Sequence, residues 1–223
     1  MLLSTSESSF LHSSLSLSSR LDGRAMLDSR SIELFFISNS QLELHLGATI
    51  VITRVFAELI EPREDRPNEG FLFFNVIGRG GEGRNNVLRG GLTTNEICRV
   101  LEKGIKNSKA LDVESLGVLS GKKVWSIRVE SEIINNDGNL IDAIFLSNLL
   151  ALVRFRKPLI KIEKGGDLKI EEEKLVALSV THLPIAFTYG FFNQAEQIVC
   201  DPTVKKNIKK QKKYKKTSLK KNM

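Results

Sequence analysis

The sequence predicts a mixed α/β (α+β) domain, and two kinds of pattern carry this prediction. Apolar and polar residues alternate in stretches such as 41–46 and 125–133, as they do in half-buried strands. Apolar residues recur at helical spacing in two other stretches, one beginning near Thr93 and one covering 140–155. Strands followed by a helix, a strand, a helix and further strands indicate one domain built from mixed sheets and helices.

Composition and length favour a folded domain of this kind. The chain has 223 residues, of which 41% are hydrophobic and 26% are charged, as is typical of a domain with a packed core. No apolar run approaches the roughly 18 residues that a membrane span requires, and we expect no secretory signal. Cys98 and Cys200 are far apart and form no CxxC pair. We therefore expect neither a disulfide framework nor a zinc site.

Positive charge is concentrated near the C-terminal end. Residues 204–223 contain ten lysines and no acidic residue, so the formal net charge of +7 becomes −3 for the rest of the chain. A segment with so much like charge and so few apolar residues is predicted to be a disordered lysine-rich tail. The tail could bind nucleic acid, act as a nuclear address or be a solvated extension, and the sequence leaves these interpretations open.

The first 19 residues are rich in serine, yet they contain a pattern that is compatible with a helix. Four apolar side chains in this segment recur at roughly helical spacing, so a short helix is possible. These side chains are Phe10, Leu11, Leu15 and Leu17.

Four strands are predicted after this segment. Runs at 32–36 and 42–46 flank the pair Asn39-Ser40, which indicates a β-hairpin with one buried face. β-Branched residues predict a third strand over 48–59, and an apolar run predicts a fourth over 71–77.

A glycine-rich loop with three arginines covers 78–92. Residues 78–83 satisfy the GxGxxG pattern, but a dinucleotide-binding turn opens directly into a helix, and here the helix begins about ten residues later. Arginines on such a loop suit phosphate oxygens through charge-assisted hydrogen bonds, although an ordinary solvated loop has the same composition. With two cations of the next helix, the candidates for phosphate contact are Arg79, Arg84, Arg89, Arg99 and Lys103.

Two helices and several strands complete the pattern. Thr93 and Glu96 have the spacing of a capping box, and Gly104 weakens the helix that follows by about 1 kcal/mol relative to alanine. The second helix, 140–155, is apolar on nearly every face, so we expect it to be buried on more than one side. It follows the turn signal 136–138. Later strands are predicted over 159–162, 177–187 and 197–200.

The three histidines do not indicate a metal or catalytic site. His12, His45 and His182 lie far apart, and no GxSxG elbow or HExxH motif accompanies them. We therefore interpret His45 and His182 as packing residues, and we expect no metal and no cofactor.

Several strings of residues, taken in order, resemble one protein family. The string Arg20-Leu21-Asp22-Gly23-Arg24 with Arg30 after it, the segment 62–70 and the stretch 96–116 resemble RNase PH-domain subunits of the eukaryotic exosome. The similarity covers about residues 7–203 and is specific for the polymyositis/scleroderma-autoantigen-like subunit, the Rrp forty-five type. Further matching strings are 121–125, 136–143, 182–185, 191–193 and 201–203.

The resemblance implies a fold and partners. The fold is the RNase PH-like βαβα domain with mixed sheets and two packed helices, here with its C-terminal part missing. The domains would be a serine-rich segment at 1–19, an incomplete RNase PH-type domain at 20–203 and the tail at 204–223. The partners would be RNA and other exosome ring subunits, one of them an RNase PH-type subunit paired with this one in a six-membered ring. The candidates for phosphate contact then become RNA-binding residues.

The resemblance also implies that the chain is not a nuclease. Catalytic relatives carry Gly-Thr-Arg after the Asp-Gly turn, where this chain has Asn139, Leu140 and Ile141. They also carry two carboxylates six residues apart, of which Asp201 matches the first while Asn207 stands at the second. The arginine that would hold RNA or phosphate is therefore absent, and one aspartate alone does not hold Mg²⁺ with a second anionic ligand.

We therefore expect a non-catalytic core subunit of the RNA exosome. Such a subunit would support 3′-to-5′ RNA processing and degradation, including rRNA maturation and mRNA turnover, in the nucleus, the nucleolus and the cytoplasm. Two alternatives stay open: a phosphorolytic 3′ exoribonuclease, and a free RNA-binding protein that acts through its basic tail.

Overall fold

The computed structural model describes residues 5–17, 19–78, 93–162, 168–192, 197–203 and 217–219. Three α-helices and twelve strands lie within them. In chain order they are α1 (Thr5–Ser16), β1 (Ile32–Phe36), β2 (Gln41–Leu46), β3 (Thr49–Ile60), β4 (Phe71–Ile77), α2 (Thr94–Leu101), β5 (Gly117–Leu119), β6 (Lys123–Asn135), α3 (Leu140–Arg154), β7 (Arg156–Ile162), β8 (Leu168–Ala177), β9 (Leu183–Ile185), β10 (Tyr189–Phe192), β11 (Gln197–Cys200) and β12 (Thr217–Leu219). A π-helical turn, Glu102–Lys106, continues α2, and a 3-10 turn covers Glu114–Leu116.

The main sheet is mixed, as the sequence predicts. Its strand order is β1-β2-β3-β6-β4, with β5 paired to β6. The strands pair antiparallel except β4, which runs parallel to β6 with Phe73 opposite Arg128. A parallel pair requires a crossover connection, and α2 with the π-helical turn forms part of it. Three smaller antiparallel pairs, β7-β8, β10-β11 and β9-β12, lie outside this sheet.

Alternation along the strands separates an inner from an outer face of the main sheet. On β6 the side chains of Trp125, Ile127, Val129 and Ile133 point inward and are buried, while Arg128 is exposed on the outer face. On β4 the inward side chains are Leu72, Phe74 and Val76. The inner face therefore forms the core, as the period-two pattern predicts.

Helix α3 covers the inner face and is buried on more than one side, as predicted. Ten of its fifteen residues are buried, and it packs against β2, β3 and β9. The π-helical turn reaches α3 at Gly104, where an added Cβ would overlap the ring of Phe145. Gly104 is therefore a point of close helix–helix approach, which gives a packing reason for a residue that weakens its own helix.

Two predictions about strands were wrong, and four strands were missed entirely or in most of their length. β1 pairs with β2 as expected, but all five of its residues are exposed, so the hairpin has no buried face on this strand. The predicted strand 177–187 is interrupted, because it contains the end of β8, an isolated bridge at Val180 and the short β9. Most of β8 was not predicted, since its residues show no clear alternation with one buried face. All of β5, β10 and β12 were also missed, and these strands are only three or four residues long.

Local signals at helix ends were confirmed. The Thr93 side chain accepts from the backbone N–H of Glu96, and the Glu96 carboxylate accepts from the backbone N–H of Thr93, which completes the capping box. Helix α1 forms in the serine-rich segment, where Leu15 is buried against Val199 and Met26. This contact attaches the first helix to β11 near the other end of the folded part.

A cluster of hydroxyl and amide groups lies inside the core between α3 and the sheet. Thr53 of β3 is 2.6 Å from the hydroxyl of Ser147 and 3.2 Å from that of Ser131 on β6. Asn148 donates to the Ser131 hydroxyl and to the carbonyl of Ile144. All four cluster side chains are completely buried. We call this group the hydroxyl cluster.

The remaining predictions about the chain ends concern few described residues. Within 204–223, predicted as a disordered tail, Thr217–Leu219 form β12, which pairs with β9, and the other residues from 204 onward lie outside the described part. In the parts of the chain that the structure describes, no helix has both the length and the apolarity to cross a membrane.

Candidate functional site

The strongest concentration of buried charge surrounds Asp201, just after β11. Its side chain is 2% exposed. One carboxylate oxygen accepts from Arg30 Nε at 2.8 Å, from the Arg30 backbone N–H at 2.9 Å and from Arg24 at 2.9 Å. The other oxygen accepts from Arg30 Nη2 at 2.9 Å and from the Asn139 amide at 2.8 Å. Two arginines and one asparagine therefore saturate the carboxylate. We call this group the arginine cluster.

Arg20 also belongs to the arginine cluster, and it is 4% exposed. Its guanidinium donates to the carbonyls of Cys200 at 2.8 Å and Asp201 at 3.2 Å, and to three carbonyls of the turn 25–28. It also forms an ion pair with Asp22 at 3.2 Å. Arg20 thus ties the N-terminal segment to residues about 180 positions away in sequence.

The arginine cluster sits at the N terminus of α3. Asn139 precedes the helix in the left-handed region, with φ 51°, and its side chain forms no cap on the helix because its amide donates to Asp201. The Gly138 carbonyl accepts from Arg30 at 3.0 Å and from the Thr49 hydroxyl at 2.9 Å. The turn that the sequence predicted at 136–138 therefore serves to bring Asn139 and Arg30 together.

A second carboxylate, that of Asp142 in the first turn of α3, lies close to the arginine cluster. It accepts from the Thr188 backbone N–H at 2.7 Å and from the Thr188 hydroxyl at 2.8 Å. Burial raises the pKa of Asp142 to about 6, although the hydrogen bonds from Thr188 and Asn139 oppose the shift. The negative charge of Asp201 adds to the increase.

The two carboxylates differ in the proton chemistry that they allow. Burial would raise the pKa of Asp201, but the hydrogen bonds and the positive charge of Arg30 hold that pKa well below its usual value. Asp201 is therefore an ionised acceptor at neutral pH, with no proton to donate as a general acid. Among the residues that the structure describes, no group of three or more His, Cys, Asp or Glu is placed to hold a metal ion.

The positions where catalytic relatives are expected to carry Thr and Arg hold apolar side chains. Leu140 is 4% exposed and Ile141 is 5% exposed, and both belong to the hydrophobic core. Neither side chain supplies a hydrogen-bond donor to the space around Asp201. Asn207, the position of the second carboxylate, lies outside the described residues.

Only two of the five predicted RNA-contacting residues lie within the described part of the chain. Arg79, Arg84 and Arg89 lie outside the described residues. Arg99 on α2 and Lys103 on the π-helical turn are exposed and four positions apart, so they lie on the same side of this helical segment. Both residues are distant in sequence from the arginine cluster. Within the described parts of the chain, no hydrogen bond or ion pair connects either of them to that cluster.

Sequence reasoning identified the members of the arginine cluster only through the family resemblance and did not bring them together. Thr188 and the role of Asn139 as a donor to Asp201 were missed. A local signal was present in the arginines at 20, 24 and 30, because three guanidinium groups so close together require anionic or carbonyl partners. No periodicity, however, connects them to position 201.

His45 and His182 play no part in this site. His45 on β2 is 2.7 Å from Glu43 and half-buried, and His182 contacts the Thr181 hydroxyl at 3.0 Å. His182 precedes β9 and does not lie within a strand, contrary to the predicted strand 177–187.

Comparison with known proteins places the geometry in a family. The model of the 3′ exoribonuclease family, domain 1 (RNase PH), matches residues 31–158, which is more than half of the chain. Exosome complex component RRP45B of Arabidopsis thaliana is 39% identical over 208 residues, covering 90% of this chain and 48% of the relative. Exosome complex component RRP45A of the same plant is 38% identical over 210 residues, covering 90% and 68%. The chain thus spans about half to two thirds of the length of these relatives.

The fold agrees with this family. A solved archaeal exosome core aligns with a TM-score of 0.72 and 26% identity, covering 90% of this chain and 74% of the archaeal one. The expected RNase PH-like arrangement of a mixed sheet with two packed helices is therefore confirmed. The chain belongs to the RNase PH, or 3′ exoribonuclease, family, and its resemblance to the Rrp forty-five type is confirmed by its similarity to RRP45 proteins.

Proposed function

We propose that this protein is a non-catalytic ring subunit of an RNA exosome, supporting 3′-to-5′ RNA processing and degradation. Its curated relatives RRP45A and RRP45B are named as exosome complex components, which supports assembly with other exosome subunits. The expected partner is a second RNase PH-type subunit in a heterodimer within a six-membered ring. rRNA maturation and mRNA turnover, in the nucleus, nucleolus and cytoplasm, follow from the same assignment.

The observation that carries the non-catalytic role is the saturation of Asp201. Its five donor contacts come from Arg24, Arg30 and Asn139, so the carboxylate has no free lone pair that faces a substrate. The neighbouring Leu140 and Ile141 are buried and apolar, and their side chains offer neither a charge nor a hydrogen-bond donor to a phosphate. The charged groups of the arginine cluster bind one another and hold the domain together. Each guanidinium group of the cluster is therefore already engaged, and none is left for an incoming anion.

We propose further that residues 20–203 carry the ring contacts and that the lysine-rich residues 204–223 add an arm for nucleic acid. RNA would meet the exposed cations near α2 and the preceding glycine-rich loop. The residues proposed to contact RNA are Arg79, Arg84, Arg89, Arg99 and Lys103.

A phosphorolysis assay tests the catalytic half of this proposal. The full chain, alone and co-purified with an RNase PH-type partner, is incubated with single-stranded RNA, inorganic phosphate and Mg²⁺, beside a phosphorolytic RNase PH enzyme as positive control. We expect no release of nucleoside diphosphates by the chain alone. Release that disappears in an Asp201→Asn variant that is still folded would contradict the proposal.

Co-purification tests the assembly half. We expect the tagged chain to retain RNase PH-type ring subunits both after RNase treatment and after deletion of residues 205–223. The deletion removes ten lysines and also β12, which pairs with β9, so the full-length chain with the same ten lysines changed to Gln is the matched control. Association that is lost after either treatment would mean that the chain is a free RNA-binding protein which reaches other subunits only through RNA.

A further inference from the structure

The outer face of β4 carries two aromatic rings with cations on both sides. The rings of Phe71 and Phe73 stack, with centroids 5.8 Å apart and planes 12° from parallel. The Arg63 guanidinium lies 5.3 Å from the Phe71 centroid, and the Lys106 ammonium lies 5.9 Å from the Phe73 centroid. The row therefore runs Arg63, Phe71, Phe73, Lys106, with cation–π contacts at both ends. Phe73 keeps 43% of its surface exposed.

A cavity of about 320 Å³ opens beside this row. Arg63, Phe71, Lys106 and Lys109 line it, and its size falls at the lower end of small-ligand sites, roughly 300–1,000 Å³. The cavity also has acidic walls. Glu69 is engaged by Arg66 at 2.9 Å.

Three cations on the aromatic side of the cavity have no carboxylate partner within the described residues. Arg63, Lys106 and Lys109 form no ion pair there within 4.0 Å, whereas the exposed Arg54 and Arg128 on the same sheet do. The acidic residues Asp112 and Glu114 also line the cavity, and Asp112 accepts from the Glu114 backbone N–H at 3.0 Å. Of these three cations, Lys106 lies next to the ring of Phe73.

The backbone at Lys109 supports a role for its side chain. The N–H of Ala110 donates to the Ile105 carbonyl at 3.1 Å, and the N–H of Lys109 donates to the Lys106 carbonyl at 3.0 Å. This is the Schellman arrangement at a helix C terminus, in which glycine is usual at the position of Lys109. Lys109 adopts φ 57° there, a conformation that costs a non-glycine residue free energy. The strained position places a third cation at the cavity.

Lys106 also continues a row of cations that begins on the exposed side of α2. Arg99, Lys103 and Lys106 are spaced by four and three residues, so they follow one another along this helical segment. The last of the three lies against Phe73. A chain of phosphates along this line would bring a base to the aromatic ring.

We propose that Phe71, Phe73, Arg63, Lys106 and Lys109 form a binding site for single-stranded RNA. One base takes the place of the Lys106 ammonium against the ring of Phe73, and the flanking phosphates bind Lys106, Lys109 and Arg63. Stacking on an aromatic side chain accepts any base, and clustered cations follow the backbone, which is the combination found in proteins that bind single strands. The site deepens the proposed function, since it assigns RNA contact to residues beyond those near the glycine-rich loop.

The test measures affinity of the full chain for an oligouridylate and for an abasic oligoribonucleotide of equal length. Elevated salt reduces the contribution of the lysines in 204–223. Phe73→Ala and Phe73→Leu are each expected to weaken oligouridylate binding about 5- to 100-fold, because stacking on one ring is lost. Binding of the abasic probe is expected to be unchanged, since it has no base to stack. Phe73→Leu keeps an apolar side chain and controls for packing.

Phe56→Ala is the matched control. Phe56 lies on the outer face of the same sheet, is 38% exposed and has Arg128 5.4 Å from its ring, but Arg128 is paired with Glu58 and Glu130. We expect this variant to bind oligouridylate like the parent chain. Equal effects of the Phe56 and Phe73 variants, or no effect of either, would overturn the proposal.

A protein interface at this patch is a separate outcome of the same variants. If Phe73→Ala abolishes co-purification with ring subunits while RNA affinity is retained, the patch is a protein-binding surface and the RNA site is rejected. If the parent chain binds RNA through Phe73 but never retains ring subunits, the site stands and the proposed ring function fails.

Discussion

Two polar clusters hold α3 in place, and they differ in charge and in reach. The arginine cluster lies at the N terminus of the helix and joins segments near residues 20–30, 138–142 and 201 through charged groups. The hydroxyl cluster lies along the middle of the helix and joins it to β3 and β6 through neutral groups. The hydroxyl cluster and Asp201 are buried, while Arg24 and Arg30 keep 16% and 9% of their side chains exposed, so most donors and acceptors of both clusters were removed from water on folding.

The two clusters differ in how much stability the protein loses when one interacting partner is removed. A buried neutral hydrogen bond contributes on the order of 1 kcal/mol, and its loss leaves a small polar group without a partner. A buried ion pair contributes little net stability relative to apolar packing, but removing one member leaves an uncompensated charge and costs about 3–5 kcal/mol. The arginine cluster is therefore the more vulnerable of the two, although it is not the larger source of stability.

The largest expected effect comes from Asp201→Asn. The change leaves Arg24 and Arg30 without their shared carboxylate, and we expect the free energy of unfolding to fall by about 3–5 kcal/mol. Urea unfolding at neutral pH, followed by circular dichroism, measures the loss.

Glu132→Gln is the control for Asp201→Asn. Glu132 pairs with Arg54 at 3.0 Å, but the two side chains are 40% and 37% exposed, so the change is expected to stay within about 1 kcal/mol. Arg30→Gln combined with Asp201→Asn is expected to cost less than the sum of the single variants, because each removes the partner of the other. Additive losses would mean that the two residues do not act as a pair.

A smaller effect depends on pH and separates Asp142 from Asp201. The folded-state pKa of Asp142 is raised from 3.8 to about 6, so ionisation of this group destabilises the fold progressively as pH rises from about 4 to 6. The folded-state pKa of Asp201 is lowered, so its stabilisation is present above its unfolded pKa and is lost as pH falls into the acid range. The two carboxylates therefore shift stability in opposite senses.

Asp142→Asn is expected to remove the penalty from Asp142. Relative to the parent chain, the variant should gain about 1–2 kcal/mol of stability between pH 4.5 and pH 7. Unfolding curves of the parent and the variant at pH 4.5 and at pH 7 give this difference. The hydrogen bonds to Thr188 that the variant loses lower its stability at both pH values, so they cancel when the two are compared. A variant whose stability relative to the parent is independent of pH would show that Asp142 does not titrate in this window.

The smallest effect belongs to the hydroxyl cluster. Ser147→Ala removes the 2.6 Å hydrogen bond to Thr53, while Thr53 keeps Ser131 as a partner, so a loss of about 1 kcal/mol is expected. Ser126→Ala, on the half-exposed outer side of β6, is the control and should stay within about 0.5 kcal/mol. If Ser147→Ala lowered the free energy of unfolding as much as Asp201→Asn does, the two clusters would not differ in their sensitivity to the loss of a partner.

The elements with one buried face were predictable because their periodicity reports burial directly. β6 and β4 alternate, and α3 is apolar all round, so the two layers of the core follow from the sequence. β8 was missed for the same reason, since charged residues such as Lys169 and Glu173 occur among its apolar ones and no single face is buried. β1 has apolar residues on both faces and lies at the edge of the sheet, where alternation does not indicate which face is covered.

The candidate site was predictable only in part. Family resemblance identified Arg20, Arg24, Arg30 and Asp201, but pairing between residues that are about 170 positions apart leaves no local pattern in the chain. The stacked pair Phe71 and Phe73 follows from the alternation of β4, since residues two apart share a face. Its cations could not be predicted, because Arg63 and Lys106 approach the rings from a loop and from a helix.

The long reach of Arg20 has a consequence for synthesis of the protein. Its guanidinium binds the carbonyl of Cys200, and the Met26 carbonyl accepts from the Cys200 backbone N–H. The N-terminal segment leaves the ribosome first, yet its partners emerge only after a further 170 to 180 residues, on the order of 10–40 s later at ordinary rates of translation. During that interval the arginines at 20, 24 and 30 lack Asp201 on the nascent chain, so the arginine cluster forms only after residue 201 has emerged.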